Sequence, residues 1–277
     1  MSGGYSYTLN LGGHLMDLEV PKVMGILNVT PDSFYSGSRT YQEDTIRNRI
    51  NLMISEGVDI IDVGGCSTRP GFNEVPEEEE MKRIDLGCKI LRDLDPDLPL
   101  SVDTFRASIA KEAISQWKVD IINDISGGRD ENMFNVVADS KIAYVLTHNS
   151  KQHLLYKDIT SDVITDLSKK VNELHRLGVN DVIIDPGFGF AKTLDENFCL
   201  LNELEEVAKM DLPLLVGISR KSMIYKTLEC SPEASLVGTV ALNCFALEKG
   251  ANILRVHDIK PAVETIKLFK KLKEIAQ

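Results

Sequence analysis

Short apolar runs recur along this chain, and nearly every one ends in polar groups. The runs are Val23–Val29, Ile60–Val63, Leu100–Asp103, Ile121–Ile125, Ala143–Thr147, Val182–Asp185, Leu214–Ile218 and Ile253–Val256. Each has the length of a strand and is almost continuously hydrophobic, as strands covered on both faces are. Between them lie segments with helical spacing. Ile46, Ile50, Met53 and Ile54 share one face, as do Ile164, Leu167, Val171 and Leu174, and later Ala262, Ile266, Phe269 and Leu272. Gly57 and Gly178 close the first two of these helices. Strand–helix units in this number predict an α/β protein, a closed (β/α)8 TIM barrel, with a doubly wound open sheet as the alternative. Ahead of Pro21, Tyr5–Leu9 and His14–Leu18 flank Gly12-Gly13 and predict a short β-hairpin covering the barrel bottom.

Composition narrows the class without naming a chemistry. A chain of 277 residues that is 43% hydrophobic can bury the core of one large α/β domain, and a single domain over 1–277 is expected. The net charge of −11 argues against a nucleic-acid partner, because phosphate backbones are met by basic surfaces. It leaves room for a phosphorylated small molecule, which needs only local cations. The five cysteines are widely separated, with no C-x-x-C pair, so neither a disulfide framework nor a structural zinc site is expected. No secretory signal or membrane-spanning run is evident, and the expectation is a cytoplasmic protein with no membrane partner.

The strand ends carry the candidate chemistry, since barrel active sites lie at the C-terminal ends of the strands. Val182-Ile183-Ile184-Asp185 leads into Pro186-Gly187, the pattern of a buried strand delivering an acid to a site. Asp62 with Gly64-Gly65, Asp103, Asn123-Asp124, His148 and Ser219-Arg220-Lys221 close other runs. Asp103, Asn123 and Asp185 together suit a flat heterocycle bearing N–H donors; the structural reading of Asp185 is an ion pair with Lys221 or Arg220. Asn28 offers a carbonyl oxygen suited to a hard cation such as Mg2+, or else ties its own turn together. Arg255 and His257 are two apart on the last strand, so they share a face and could both donate to an anion; a pair of surface polar residues is the alternative. Ser67-Thr68-Arg69-Pro70-Gly71 supplies hydroxyls, a cation and rigid turn positions after the second run. Cys66 and His148 read more simply as packing and structural residues than as catalytic ones.

Taken in order, Asn28–Phe34, Ile61–Gly71, Asp185–Phe190, Gly217–Met223 and Arg255-Val256-His257-Asp258 resemble the dihydropteroate synthases, folate-pathway enzymes and sulfonamide targets. The resemblance runs over nearly the whole chain. It implies a homodimeric transferase that joins 6-hydroxymethyl-7,8-dihydropterin diphosphate to 4-aminobenzoate, giving 7,8-dihydropteroate and diphosphate. By the same resemblance, Asp103, Asn123, Asp185 and Lys221 hold the pterin. Asn28, Arg255 and His257 bind the diphosphate, with Mg2+ coordinated through Asn28. Thr68, Pro70, Lys221 and Ser222 line the aminobenzoate pocket, under the loops that follow the first two strands. The implied chemistry is a dissociative substitution assisted by Mg2+, in which Lys221, Asp103, Asp185, Arg255 and His257 carry the catalytic roles.

The chain departs from the family pattern in places. Ser36 stands where the family has an acid, and Ser38 where it has a glycine. Thr147-His148-Asn149 replaces a common Met-His-Met, and Cys66 occupies a variable position. A pterin-binding methyltransferase and a non-catalytic pterin-binding paralogue are the alternatives. Ser219-Arg220-Lys221-Ser222 and Arg255-Val256-His257 favour the synthase over the methyltransferase.

Overall fold

The computed structural model describes residues 7–29, 39–66, 75–150 and 158–275. Its strands are β1 Thr8–Leu11, β2 His14–Asp17, β3 Lys22–Asn28, β4 Ile60–Gly64, β5 Leu100–Asp103, β6 Ile121–Asp124, β7 Ala143–Thr147, β8 Val182–Asp185, β9 Leu215–Val216 and β10 Ile253–Val256. The helices are α1 Arg39–Glu56, α2 Glu77–Leu94, α3 Ala107–Trp117, α4 Met133–Ser140, α5 Ile159–Arg176, α6 Leu194–Asn202, α7 Leu204–Ala208, α8 Ser222–Thr227, α9 Leu236–Glu248 and α10 Ile259–Ile275. Eight parallel strands lie in the order β8-β7-β6-β5-β4-β3-β10-β9. A parallel bridge between Ile184 and Leu214 brings β8 back to β9, so the sheet curls into the predicted (β/α)8 barrel. The open doubly wound sheet is thereby set aside.

Period-two alternation along each strand separates two cores. Val23, Ile61, Val102, Ile122, Leu146, Ile184 and Leu254 face outward and pack under the helices. Met24, Ile60, Ile121, Val145, Ile183, Leu215 and Ile253 face inward and fill the lower half of the barrel. Continuing the alternation toward the C-terminal ends puts Asp62, Ser101, Asp103, Asn123, Thr147, Asp185 and Arg255 on the inner face. Asp124, the next residue after Asn123, points outward and accepts from the hydroxyl of Tyr144 at 2.7 Å. The registers Asn28↔Gly64, Gly64↔Asp103, Asp103↔Asn123 and Thr147↔Asp185 then align these ends at one rim.

The N-terminal hairpin closes the other end. Leu9, Leu11 and Leu18 are buried in the same cluster as the inward apolar residues, each contributing about 2 kcal/mol through burial. The backbone N–H of Asn10 donates to Asp181 at 2.8 Å, just ahead of β8. The first hairpin strand runs further than the sequence suggests, to Leu11, which pairs with His14 across Gly12 and Gly13. Both glycines have positive φ, 59° and 97°, which permits this two-residue turn and pulls Asn10 and Leu11 into the ladder. Tyr5 lies outside the described residues.

Two helix-ending glycines behave as expected, with φ of +89° at Gly57 and +87° at Gly178. Ile46, Ile50 and Met53 are fully buried, as are Leu167 and Leu174. Leu272 is not; it is 70% exposed, on a stripe with Leu268 and Ile275 in the last turns of α10. The predicted strand Leu214–Ile218 shrinks to Leu215–Val216, since only those residues pair with β10.

Candidate active site

Four strands bring one buried polar network together inside the barrel mouth. Asp62 is fully buried. Its Oδ1 accepts from Ser101 Oγ at 2.6 Å, and its Oδ2 accepts from Arg255 Nε at 2.7 Å and Asn123 Nδ2 at 2.9 Å. The other arm of Arg255 reaches Asp103, with Nη2 2.6 Å from Oδ2. One guanidinium is thus forked between two carboxylates from neighbouring strands, the geometry for which arginine is suited. Burial works against the charge of Arg255, but Asp62 and Asp103 outweigh it and hold the guanidinium firmly protonated.

Asp103 sits between opposing influences. Burial raises its carboxyl to about 7; Arg255 pulls it down, while Asp62 and Asp124 push it further up. Burial also raises Asp185, against a hydrogen bond from the backbone N–H of Gly187 and the charges of Lys221, Lys192 and Arg255. The Gly187 N–H lies 2.8 Å from Asp185 Oδ1, and Thr147 Oγ1 lies 3.3 Å from Oδ2. That turn admits only glycine: Gly187 has φ +73°, and a Cβ there would stand 2.0 Å from the carbonyl oxygen of His148. The Pro-Gly signal in the sequence therefore reports a close crossing of two strand-end loops.

Lys221 caps the start of α8 and is half-buried among these charges. Burial lowers its ammonium to about 8, with Arg255 adding to the shift and Asp185 and Asp103 opposing it. Its Nζ lies 4.2 Å from the ring centroid of Phe190, a cation–π contact that binds the β8–α6 loop to the β9–α8 loop. Ser222, the first residue of α8, is half-buried. Arg220 pairs with Asp258 through two hydrogen bonds, 3.0 and 2.6 Å, and does not pair with Asp185. Lys221 acts on Asp185 through its charge and forms no direct ion pair with it.

His257 lies at the end of β10 beside Ser219. Ser219 Oγ accepts from the backbone N–H of His257 at 3.2 Å and lies 3.1 Å from its Nδ1. A hydroxyl proton directed to Nδ1 would leave the ring proton on Nε2. Burial and the charges of Arg255 and Arg220 lower this imidazole to about 4, so it is neutral at pH 7. Asn28 is half-buried at the end of β3. A Cβ placed on Gly64 would stand 3.4 Å from Asn28 Oδ1 and 3.8 Å from Asp103 Oδ2, which puts both oxygens around the bare backbone of Gly64. Among the described residues, no group of three His, Cys, Asp or Glu side chains could hold a metal ion by itself.

Sequence reasoning noted Asp62 as a strand-end acid but gave it no role, and passed over Ser101 and Lys192. Lys192 Nζ gathers the carbonyl oxygens of Gly187 at 2.9 Å, Phe190 at 3.2 Å and His148 at 3.3 Å, together with His148 Nδ1 at 3.0 Å. A lysine in a Gly- and Phe-rich loop offers little signal by itself. Ser101 and Asp62 could have been found by counting inward positions back from Asp103 and Gly64. Thr68 and Pro70 lie outside the described residues, as do Ser36 and Ser38.

This barrel with its acceptor-rich, cation-bearing mouth matches the family model of the pterin binding enzymes over residues 24–257. The dihydropteroate synthase of Bacillus subtilis is 41% identical over 89% of this chain and 87% of its own length. That of Escherichia coli is 37% identical over 93% and 94%. Among solved structures, the Xanthomonas albilineans dihydropteroate synthase with 4-aminobenzoic acid superposes with a TM-score of 0.91, at 34% identity over 97% of this chain and 99% of that one. The same enzyme with 7,8-dihydropteroate gives a TM-score of 0.88, at 32% identity over 96% and 99%. The chain belongs to the dihydropteroate synthases, a family of transferases.

Proposed function

We propose that this barrel mouth joins 6-hydroxymethyl-7,8-dihydropterin diphosphate to 4-aminobenzoate, releasing 7,8-dihydropteroate and diphosphate. The carrying observation is the set of inward acceptors Asp103, Asn123 and Asp185 beside the half-buried cations Arg255 and Lys221. Acceptors match the N–H edge of a pterin, and cations match a diphosphate. The 4-aminobenzoic acid and 7,8-dihydropteroate held by the Xanthomonas albilineans enzyme support the aminobenzoate and pterin parts of this reading.

Asp185 accepts from the guanidine-like edge of the pterin, with Asp103 and Asn123 placed for its remaining donors. Lys221, still protonated at pH 7, donates to the ring and favours its position over Phe190. Arg255 and the Nε2–H of neutral His257 donate to the diphosphate. Breakage of the methylene C–O bond sends its electron pair to the diphosphate. The resulting cation is delocalised over the pterin and favoured by Asp103 and Asp185. The amine lone pair of 4-aminobenzoate then forms the C–N bond, and the nitrogen proton leaves to solvent. No strong base is required, because the amine becomes acidic only after bonding. Ser222 and Lys221, with Thr68 and Pro70, line the aminobenzoate side.

Asn28 would hold a Mg2+ ion through its amide oxygen, a neutral hard donor of the kind such an ion takes without a full protein cage. Such an ion would supply charge neutralisation on the leaving group. We further propose a single-domain, cytoplasmic homodimer in which a second copy covers α9 and α10, where Val237 is 80% and Phe245 59% exposed. Among the described residues, no helix is long and apolar enough to cross a membrane. Calorimetry tests the site assignment. Dihydropterin diphosphate should bind more tightly with Mg2+ than without, and the gain should shrink in Asn28→Ala. A gain unaltered by that substitution would remove Asn28 from the metal.

A further inference from the structure

We infer that Asp62 is a positioning residue that sets which way round the Asn123 amide faces, turning its oxygen toward the ligand. The inference rests on the pterin reading above and concerns how that reading achieves selectivity.

Asp62 is enclosed, and its Oδ2 lies 2.7 Å from Arg255 Nε and 2.9 Å from the Asn123 amide. A guanidinium N–H can only donate, so Asp62 Oδ2 is an acceptor. The amide end 2.9 Å away must therefore be the NH2 group. The opposite orientation would set two oxygens against each other in a buried site. Chemistry, rather than an arbitrary choice of amide atoms, thus fixes the orientation. Ser101 reinforces it by donating to Oδ1 of Asp62 at 2.6 Å, so the carboxylate is held from both sides.

The consequence appears at the other end of the amide. Asn123 Oδ1 is buried and has no hydrogen-bond partner. Buried acceptors are rarely left unmatched in folded proteins, so an orphan at a site mouth points to an incoming N–H. Asn123 is paired in register with Asp103, whose carboxylate shares the same inner face. Asp62 thereby makes Asn123 an acceptor alongside Asp103 and Asp185, and the mouth selects a heterocycle with a donor edge.

The test compares two ligands by calorimetry. One is 6-hydroxymethyl-7,8-dihydropterin diphosphate; the other is its lumazine analogue, with a carbonyl in place of the 2-amino group. Wild type should prefer the amino ligand by at least about tenfold, since an acceptor facing a carbonyl leaves both unpaired. In Asp62→Ala, water in the vacated space can donate as well as accept, so Asn123 can turn and the preference should fall by about tenfold. Asp62→Asn keeps an oxygen acceptor and should restore the preference. Equal weakening of both ligands in Asp62→Ala, with the preference intact, would overturn the inference while leaving the pterin reading standing. A wild type without preference would overturn it without any variant. Binding of neither ligand to wild type would instead overturn the pterin reading, and this inference with it. If Asp62→Ala does not melt cooperatively, Asp62→Ser, whose hydroxyl also donates and accepts, is read in the same way.

Discussion

Lys192 Nζ lies 3.0 Å from Nδ1 of His148, and this contact settles the state of the imidazole. Burial lowers Lys192 to about 8, so it is still an ammonium at pH 7 and can only donate. Nδ1 must then accept, which places the ring proton on Nε2. Burial and the Lys192 charge lower His148 to about 4. Two loops, one after β7 and one after β8, are thereby joined beneath Asp185.

This arrangement predicts a particular pH dependence. The folded-state value of His148, about 4, lies below its ordinary 6.5, so the unfolded chain binds more protons between them. Its stabilising contribution is complete above 6.5 and is lost as pH falls through that window. Asp103 acts oppositely: its folded value near 7 exceeds 3.8, so its contribution is complete below that lower value and fades as pH rises toward 7. Wild-type curves alone would mix the two. The stability difference between wild type and His148→Gln should shrink by roughly 2 kcal/mol between pH 6.5 and 4, measured by urea unfolding. A difference independent of pH would refute the neutral assignment.

Lys192→Met removes the cation that holds three carbonyls together. We expect a loss of roughly 1–3 kcal/mol in stability and a raised KM for the pterin substrate, because the loop bearing Gly187 and Phe190 is no longer tied to His148. Chemical denaturation and steady-state kinetics check both. An unchanged KM would confine Lys192 to folding.

Much of this was legible in the sequence for a physical reason. Inward and outward positions alternate so strictly that an apolar run ending in Asp103 or Asp185 delivers that acid to the barrel interior. What escaped was pairing. Nothing in the residue order says that Arg255 on β10 would reach past β3 to be shared by Asp62 and Asp103. The helical spacing that placed Leu272 on a buried face continued past the surface it could cover. Lys192 gains its meaning only from carbonyl oxygens, which leave no mark on a sequence.

Asp185→Asn should weaken dihydropterin diphosphate binding by roughly 1–3 kcal/mol, the scale of losing a charged hydrogen bond. Isothermal calorimetry reads this directly, and unchanged affinity would remove Asp185 from the pterin site.

Leu9→Ala should cost about 2–5 kcal/mol in stability, because Leu9 is 1% exposed and plugs the barrel bottom with Leu11 and Leu18, in one cluster with the inward residues. Kinetic constants of the folded fraction should stay near wild type, since the plug lies at the end opposite the site. A melting temperature equal to wild type would mean that the hairpin does not seal the barrel.

The central claim is catalysis at the acceptor-rich mouth, and one assay addresses it. Purified protein is mixed with Mg2+, 6-hydroxymethyl-7,8-dihydropterin diphosphate and 4-aminobenzoate, and diphosphate and dihydropteroate are followed together. The account predicts both products in equal amounts. Pterin binding without either product would contradict it and mark a binding paralogue.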